Sequence, residues 1–403
     1  MTKHFGKLSI MMFMEFFVWG AWYVTVGNYM AEIGMTEAIY WAYTVGPIGA
    51  IISPFFLGMV ADRFFATEKV LGAMHILGGV FIFIAPFVAA SGSATGFIVM
   101  LLLHMLCYMP TVGLANTLAF HHLTNQEKEF PAIRVFGTIG WIVAGVIVSY
   151  GLGADKTALP LQIAGVAGVL LGAFSFTLPH TPPPAAGEKA SARQILGLDA
   201  LAQLSNRPFV VFITSSFLIC IPLAAYYSYA PVFVNAAGIS DPAFKMSFGQ
   251  MSEVIFMLLV PIFYARLGVK WMLLVGMFAW VLRYGFFAVA APDGIFSMIL
   301  TGVILHGICY DFFFVAGQIY VDKKSTPEIR GQAQGFLVLI TYGIGMLIGA
   351  LTTGWLFNNT VTGEGAAALG QWQTFWMIPA VFAAVIMVLF ALLFKENSQV
   401  ESA

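Results

Sequence analysis

Arg134, Thr138 and Trp141 recur at the i, i+4, i+7 spacing of one helix face, within the run Phe130-Pro-Ala-Ile-Arg134-Val-Phe-Gly-Thr138-Ile-Gly-Trp141. A fixed cation, a hydroxyl and an aromatic plane on one face suit a polar solute that carries a ring. The cation sits about one turn inside a long apolar segment. A guanidinium is charged at any accessible pH, and inside a spanning helix it normally faces a water-filled cavity, an acid or an anionic group. The competing reading is that Arg134 snorkels to the lipid headgroups, because one turn of depth is within reach of its long side chain.

Few other ionisable groups interrupt the apolar runs, and each is a functional candidate because burying it is costly. Gln250 and Glu253 are three residues apart, so an amide and a carboxyl share a face. His306 and Tyr310 are four apart and share another, with Asp311 adjoining. Glu15 lies beside Trp19 and Trp22, and Arg283 is the lone cation of a later run. A carboxyl removed from water gains proton affinity and loses it again when a cation approaches, which is the working principle of a proton carrier. Glu253 or Asp311 is therefore expected to take a proton from outside and release it inside as Arg134 or a substrate moves relative to it. The alternative is a static ion pair, with Arg283 as a partner. Glu15 is either a further proton-coupling group or the cap of a small polar pocket. His306 titrates near physiological pH but is as readily a hydrogen-bonded structural residue. Pro110 and Gly113 are expected to break their apolar run, as a gating segment or a packing kink.

The elements that must position these residues follow from composition. The 403-residue chain is 60% hydrophobic, 15% aromatic and 9% charged, whereas soluble domains carry about 25% charged residues. A polytopic, all-α membrane protein is expected, since a spanning helix needs about 20 mostly apolar residues. Twelve such runs stand near 8–31, 38–61, 70–90, 96–121, 132–151, 160–178, 208–235, 246–265, 271–290, 295–320, 331–357 and 372–394. No short basic leader precedes the first, which is expected to be a spanning helix and not a removed signal. The longest polar stretch, around Pro182-Pro183-Pro184 and Arg193, divides the chain into two six-helix bundles, 1–178 and 208–403, joined by a linker at 179–207.

With the N-terminus inside, fourteen of the 18 Lys and Arg residues fall on the inner side and only Lys156 and Lys245 on the outer, the other two being Arg134 and Arg283. Cytoplasmic loops are enriched in such cations, so both termini and the linker are expected in the cytoplasm. The net charge of −1 argues against nucleic acid as a partner. Cys107, Cys220 and Cys309 lie in apolar runs without metal-ligand spacing, and neither a metal nor a cofactor is implied. Neither HExxH nor GxSxG-type spacing appears, so a membrane-embedded enzyme is disfavoured.

The loop Gly58-Met-Val-Ala-Asp62-Arg63 resembles the Gly-x-x-x-Asp-Arg signature of the major facilitator superfamily, with Lys69 alone left of the basic residues that normally follow. A matching position after the eighth run, Tyr264-Ala-Arg266-Leu-Gly268-Val-Lys270, suggests duplicated six-helix units that rock about a midplane site. The run around Arg134, Tyr108-Met-Pro-Thr-Val-Gly-Leu-Ala-Asn116-Thr, Leu196-Gly-Leu-Asp199-Ala, Ser252-Glu253, Ala279-Trp-Val-Leu-Arg283 and Asp311-Phe-Phe together resemble the bacterial nucleoside:proton symporter family. The resemblance implies a major facilitator fold, proton-coupled nucleoside uptake through the cytoplasmic membrane by a monomer, and a site lined by Arg134, Thr138, Trp141, Gln250, Glu253, Tyr310 and Asp311. It implies departures too. Leu223-Ala224-Ala225-Tyr226-Tyr227-Ser228 replaces a stretch in which the permeases carry a Gln and an Asn, which puts Tyr227 at the substrate. His306 stands for a tyrosine and Glu15 for a glutamine. Another polar, ring-bearing solute, such as a sugar or glycoside, is the alternative cargo.

Overall fold

The computed structural model describes residues 2–56, 64–183, 191–326, 329–363 and 366–395, and among these the regular structure is helical, with no strand. Asp62 and Arg63 lie outside the described residues. Backbone polar groups at membrane depth have no water to bond, so each apolar run closes its hydrogen bonds on itself as a helix. The crossing segments are α1 (Phe5–Glu32), α2 (Thr36–Phe56), α3 (Thr67–Ala90), α4 (Ala94–His122), α5 (Glu129–Gly151) and α6 (Leu159–Ser175). They continue with α7 (Arg207–Ala236), then a 49-residue helical stretch, Pro242–Ala290, and finally Phe296–Lys324, Arg330–Thr360 and Ala367–Leu393.

The 49-residue stretch is two crossings. At 1.5 Å per residue it would run about 70 Å, more than twice a hydrocarbon core of about 30 Å. Gly268 breaks it with φ 68° and ψ 171°, a conformation a Cβ would strain. We therefore label 242–267 α8 and 269–290 α9, and the last three segments α10, α11 and α12. Twelve crossing helices result among the described residues, at boundaries within a few residues of those expected; the end of the second run falls outside the described residues. Lipid-facing positions remain apolar, as Leu258, Trp355 and Leu392 show at 75%, 67% and 65% exposure.

The expected break at Pro110 is not found. Helix α4 runs unbroken from Ala94 to His122, with Pro110 buried inside it. A proline removes one backbone donor, and one lost bond within a 29-residue helix need not end it. Irregularity occurs elsewhere, as π-helical turns at Val146–Gly151, Asp311–Val315 and Leu339–Gly345.

The helices group into two compact units. Unit 1 comprises Met1–Ile195 with Tyr227–Asn235 and Ser240–Ser247; unit 2 comprises Leu196–Tyr226, Ala236–Ile239 and Phe248–Ala403. In unit 2, Tyr284 donates its hydroxyl to the Pro222 carbonyl at 2.5 Å and Lys270 caps the Ala391 carbonyl at 3.0 Å. Within unit 1, Asn28 Nδ2 donates to the Pro231 carbonyl at 3.2 Å.

Asp155, in the loop between α5 and α6, anchors the start of α8 within unit 1. Its Oδ1 accepts the Ala243 backbone N–H at 2.9 Å, and its Oδ2 accepts the Ser149 hydroxyl at 2.7 Å. An anionic acceptor at a helix N-terminus satisfies an orphan donor. Burial nevertheless pushes the Asp155 carboxyl above the ordinary aspartate range, with the Asp241 charge adding to the rise and the two hydrogen bonds opposing it. A carboxyl whose folded value is raised favours the fold most below its unfolded value of about 3.9, and that contribution is lost as pH rises through the folded value. Thermal unfolding midpoints measured against pH should therefore decline across this window. Asp155→Asn, which can keep both bonds without a charge, should flatten that decline; an unaltered profile would refute the assignment.

Candidate functional site

In unit 1 the α5 face carrying Arg134, Thr138 and Trp141 lies on a matching stripe of α1. The Arg134 guanidinium stands 4.1 Å from the centre of the Phe16 ring. It also crowds Gly137, where an added Cβ would lie 2.7 Å from Arg134 Nη1. The side chain thus runs toward the deeper turn of its own helix, not back to the helix start as snorkelling would require. Trp141 packs edge-on against Trp19 and Tyr23, at centroid distances of 5.5 and 6.1 Å. Tyr227 meets Tyr23 edge-on at 6.1 Å. This close approach depends on Gly140, whose missing side chain leaves room for the Phe13 carbonyl. Arg134, Thr138, Trp141 and Tyr227 are each half-buried, so an aromatic and cationic face is presented without being sealed. A cation over a ring gains about 0.5–2 kcal/mol, and rings at these spacings favour edge-to-face contact.

Glu15, on the same helix, is fully buried. Its carboxyl oxygens meet His75 Nε2 and Thr111 Oγ1, both at 2.7 Å.

In unit 2 the cluster is built around an irregular α10. Ser252 of α8 donates to the Ile304 carbonyl at 2.6 Å and accepts the Gly307 N–H at 2.9 Å, which grips α10 where its regular turn changes at Leu305. His306 follows, 1% exposed, stacked on Tyr226 at 5.2 Å and tilted against Tyr310 at 5.7 Å. Arg283 of α9 donates Nε–H to the Gly302 carbonyl at 3.1 Å and lies 4.0 Å from the centre of the Tyr226 ring. Its Nη2 is 3.1 Å from His306 Nδ1. Arginine has only donors, so His306 Nδ1 accepts and the imidazole proton is on Nε2. That nitrogen faces Glu253 Oε2 at 3.7 Å.

Asp311 opens the π-helical turn and is fully buried. Neither of its oxygens has a hydrogen-bond partner among the described residues. An extra residue in one turn re-aims the side chains beyond it, and π turns recur at functional positions.

The expected residues fall in two groups, one within each unit. Gln250, Glu253, His306, Tyr310 and Asp311 belong to unit 2, and Arg134, Thr138, Trp141 and Tyr227 to unit 1. Pro110 and Glu15 also lie in unit 1. Phe16, Tyr23, His75, Thr111 and Tyr226 escaped the sequence reading. His75 could have been found, because a lone titratable side chain in an apolar run is the signal that singled out Glu15. Phe16 and Tyr226 could not, since nothing in spacing distinguishes a phenylalanine or tyrosine that lies under a guanidinium from one that fills the core.

The sequence model described as nucleoside H+ symporter matches residues 1–399. The chain belongs to that family. It is 32% identical to the xanthosine permease of Escherichia coli (strain K12) across 98% of this chain and 97% of the permease. It is 31% identical to the nucleoside permease NupG of the same organism, covering 96% and 95%. The crystal structure of the nucleoside transporter NupG superposes with a TM-score of 0.86 at 29% identity, over 98% of this chain and all of that one. The D-xylose-proton symporter, at 11% identity and a TM-score of 0.74, shares the fold. The chain is thus a multi-pass, proton-coupled nucleoside transporter of the major facilitator fold, not an enzyme.

His306→Phe keeps a ring on Tyr226 but removes the acceptor from Arg283 Nη2. Losing an acceptor for a buried charged donor costs about 1–3 kcal/mol, so a lowered thermal midpoint is expected. An unchanged midpoint would show that the imidazole does not hold the guanidinium.

Proposed function

We propose that the unit 1 face binds the nucleoside and that the unit 2 acids bind the proton. Trp141 offers a plane for the base, while Arg134 and Thr138 offer donors to ribose or base oxygens, with Tyr227 flanking them. Every nucleobase has a π face, so stacking gives affinity for the class with little discrimination within it. Asp311 carries the proton, and Glu253, 3.7 Å from His306 Nε2, is the second acid of the unit. Gln250, His306 and Tyr310 supply the polar surroundings of those acids.

The single observation that carries this reading is the Asp311 carboxyl, buried with no hydrogen-bond partner for either oxygen among the described residues. A carboxylate charge without a partner is prohibitive in such surroundings, and a proton removes the charge. Emptying the site then requires water or a cation to reach it, which ties proton release to a change of conformation, as alternating access needs. Uptake through the cytoplasmic membrane, with both termini and the linker inside, agrees with the bias of Lys and Arg toward one set of loops. A monomer supplies both groups of residues.

Asp311→Asn and Glu253→Gln should each abolish accumulation of nucleoside against its gradient in vesicles while sparing counterflow exchange. Continued accumulation by both would refute the proton assignment. Trp141→Ala should weaken nucleoside binding by about tenfold, as expected from about 1–3 kcal/mol per stacked base. A thermal-shift panel of uridine, adenosine, free bases, ribose and glucose checks the substrate class, because a ligand that binds the folded state alone raises the midpoint. Stabilisation by a sugar alone would refute the nucleoside assignment.

A further inference from the structure

Helices α1, α3 and α4 of unit 1 enclose a carboxyl that the aromatic face does not use. Glu15 is 0% exposed, His75 2% and Thr111 0%. The partners come from different helices: His75 Nε2 stands 2.7 Å from Oε2, and Thr111 Oγ1 stands 2.7 Å from Oε1. Thr111 Oγ1 is also 2.5 Å from the Tyr108 carbonyl oxygen. A threonine hydroxyl has one hydrogen, and a carbonyl oxygen has none to give. Thr111 therefore donates to Tyr108, and the hydrogen between Thr111 and Glu15 has to come from Glu15. His75 fills the other contact with its Nε2–H. All three contacts are satisfied when Glu15 is the carboxylic acid. With a carboxylate there, two acceptors would share one hydrogen in a sealed, apolar pocket.

We infer that Glu15, held by His75 and Thr111, is a second proton-binding site, loaded in this conformation and emptied during the transport cycle. The emptying rests on the proton-coupled reading above. The pocket has little else to compensate a charge. Helix α3 presents His75, and α4 presents Tyr108 and His104, whose Nδ1–H donates to the Gly78 carbonyl at 2.9 Å. His104 Nε2 has no hydrogen-bond partner among the described residues, so an acceptor stands open on α4. Helix α5 contributes Arg134, spread on Phe16, and α6 has no ionisable side chain.

A line of rings joins this acid to the nucleoside face. Tyr108 donates its hydroxyl to the Glu15 backbone carbonyl at 2.6 Å and packs on Trp19 at 5.6 Å, and Trp19 packs on Trp141 at 5.5 Å. A base stacked on Trp141 thus presses on the residue that positions Glu15.

The test uses Glu15→Gln, whose amide can donate to Thr111 and accept from His75, reproducing the protonated pattern without a removable proton. Infrared spectra of the purified protein should contain a protonated-carboxyl C=O band that Glu15→Gln removes and Asp311→Asn leaves in place. In proteoliposomes, the proton-to-nucleoside ratio from reversal potentials should fall by one in Glu15→Gln. A spectrum that Glu15→Gln leaves unchanged overturns the proposal. A lost band with an unchanged ratio overturns it as well, because the proton would then be fixed. Failure of the Asp311 assignment would appear separately, as an Asp311→Asn protein that keeps the full ratio.

Discussion

A charge buried at membrane depth has to be neutralised by something within reach, and the interior of this protein is arranged by how each ionisable side chain meets that demand. Arg134 spreads its guanidinium on the Phe16 ring. Arg283 uses the Gly302 carbonyl, the Tyr226 face and the His306 lone pair. Glu15 is closed off by His75 and Thr111, each 2.7 Å from one of its oxygens. Asp311, equally buried, has a hydrogen bond to neither oxygen among the described residues. The two cations are stabilised by fixed partners, and the two acids are the groups a proton can neutralise.

The backbone makes these arrangements possible by being irregular in few places. Gly140 lets α5 approach α1 until Trp141 meets Trp19 and Tyr23. Ser252 grips α10 beside His306, and the π-helical turn one residue past Tyr310 sets the direction of Asp311. The tautomer of His306 then follows from Arg283, which can only donate. With its proton on Nε2, the imidazole turns a donor toward Glu253 at 3.7 Å. The Arg134–Trp141 face and the Glu253 and Asp311 carboxyls are thereby built on different units.

Much of this was legible in the chain itself. Apolar run length set the number of crossings, since about 20 residues are needed to span the hydrocarbon. The i, i+4, i+7 stripe of Arg134, Thr138 and Trp141 appeared on one face, and the four-residue spacing of His306 and Tyr310 returned as a ring contact at 5.7 Å. Pro110 misled, because a single missing donor inside a long buried helix is tolerated where neighbouring helices hold the segment. Local chemistry suggested a break that packing did not require.

What the sequence by itself determined is therefore whatever depends on the order of residues along one helix: the apolar spans, the faces, the list of polar groups too costly to bury idly, and the family to which their combination belongs. What only the tertiary structure decided is partnership. Glu15 and His75 are 60 positions apart, and Arg283 and His306 are 23 apart. No periodicity relates such pairs. Whether a buried acid is bonded or bare depends on side chains delivered by other helices, and that in turn depends on packing at a glycine, a serine and a π-helical turn whose effects are felt only once the helices are side by side.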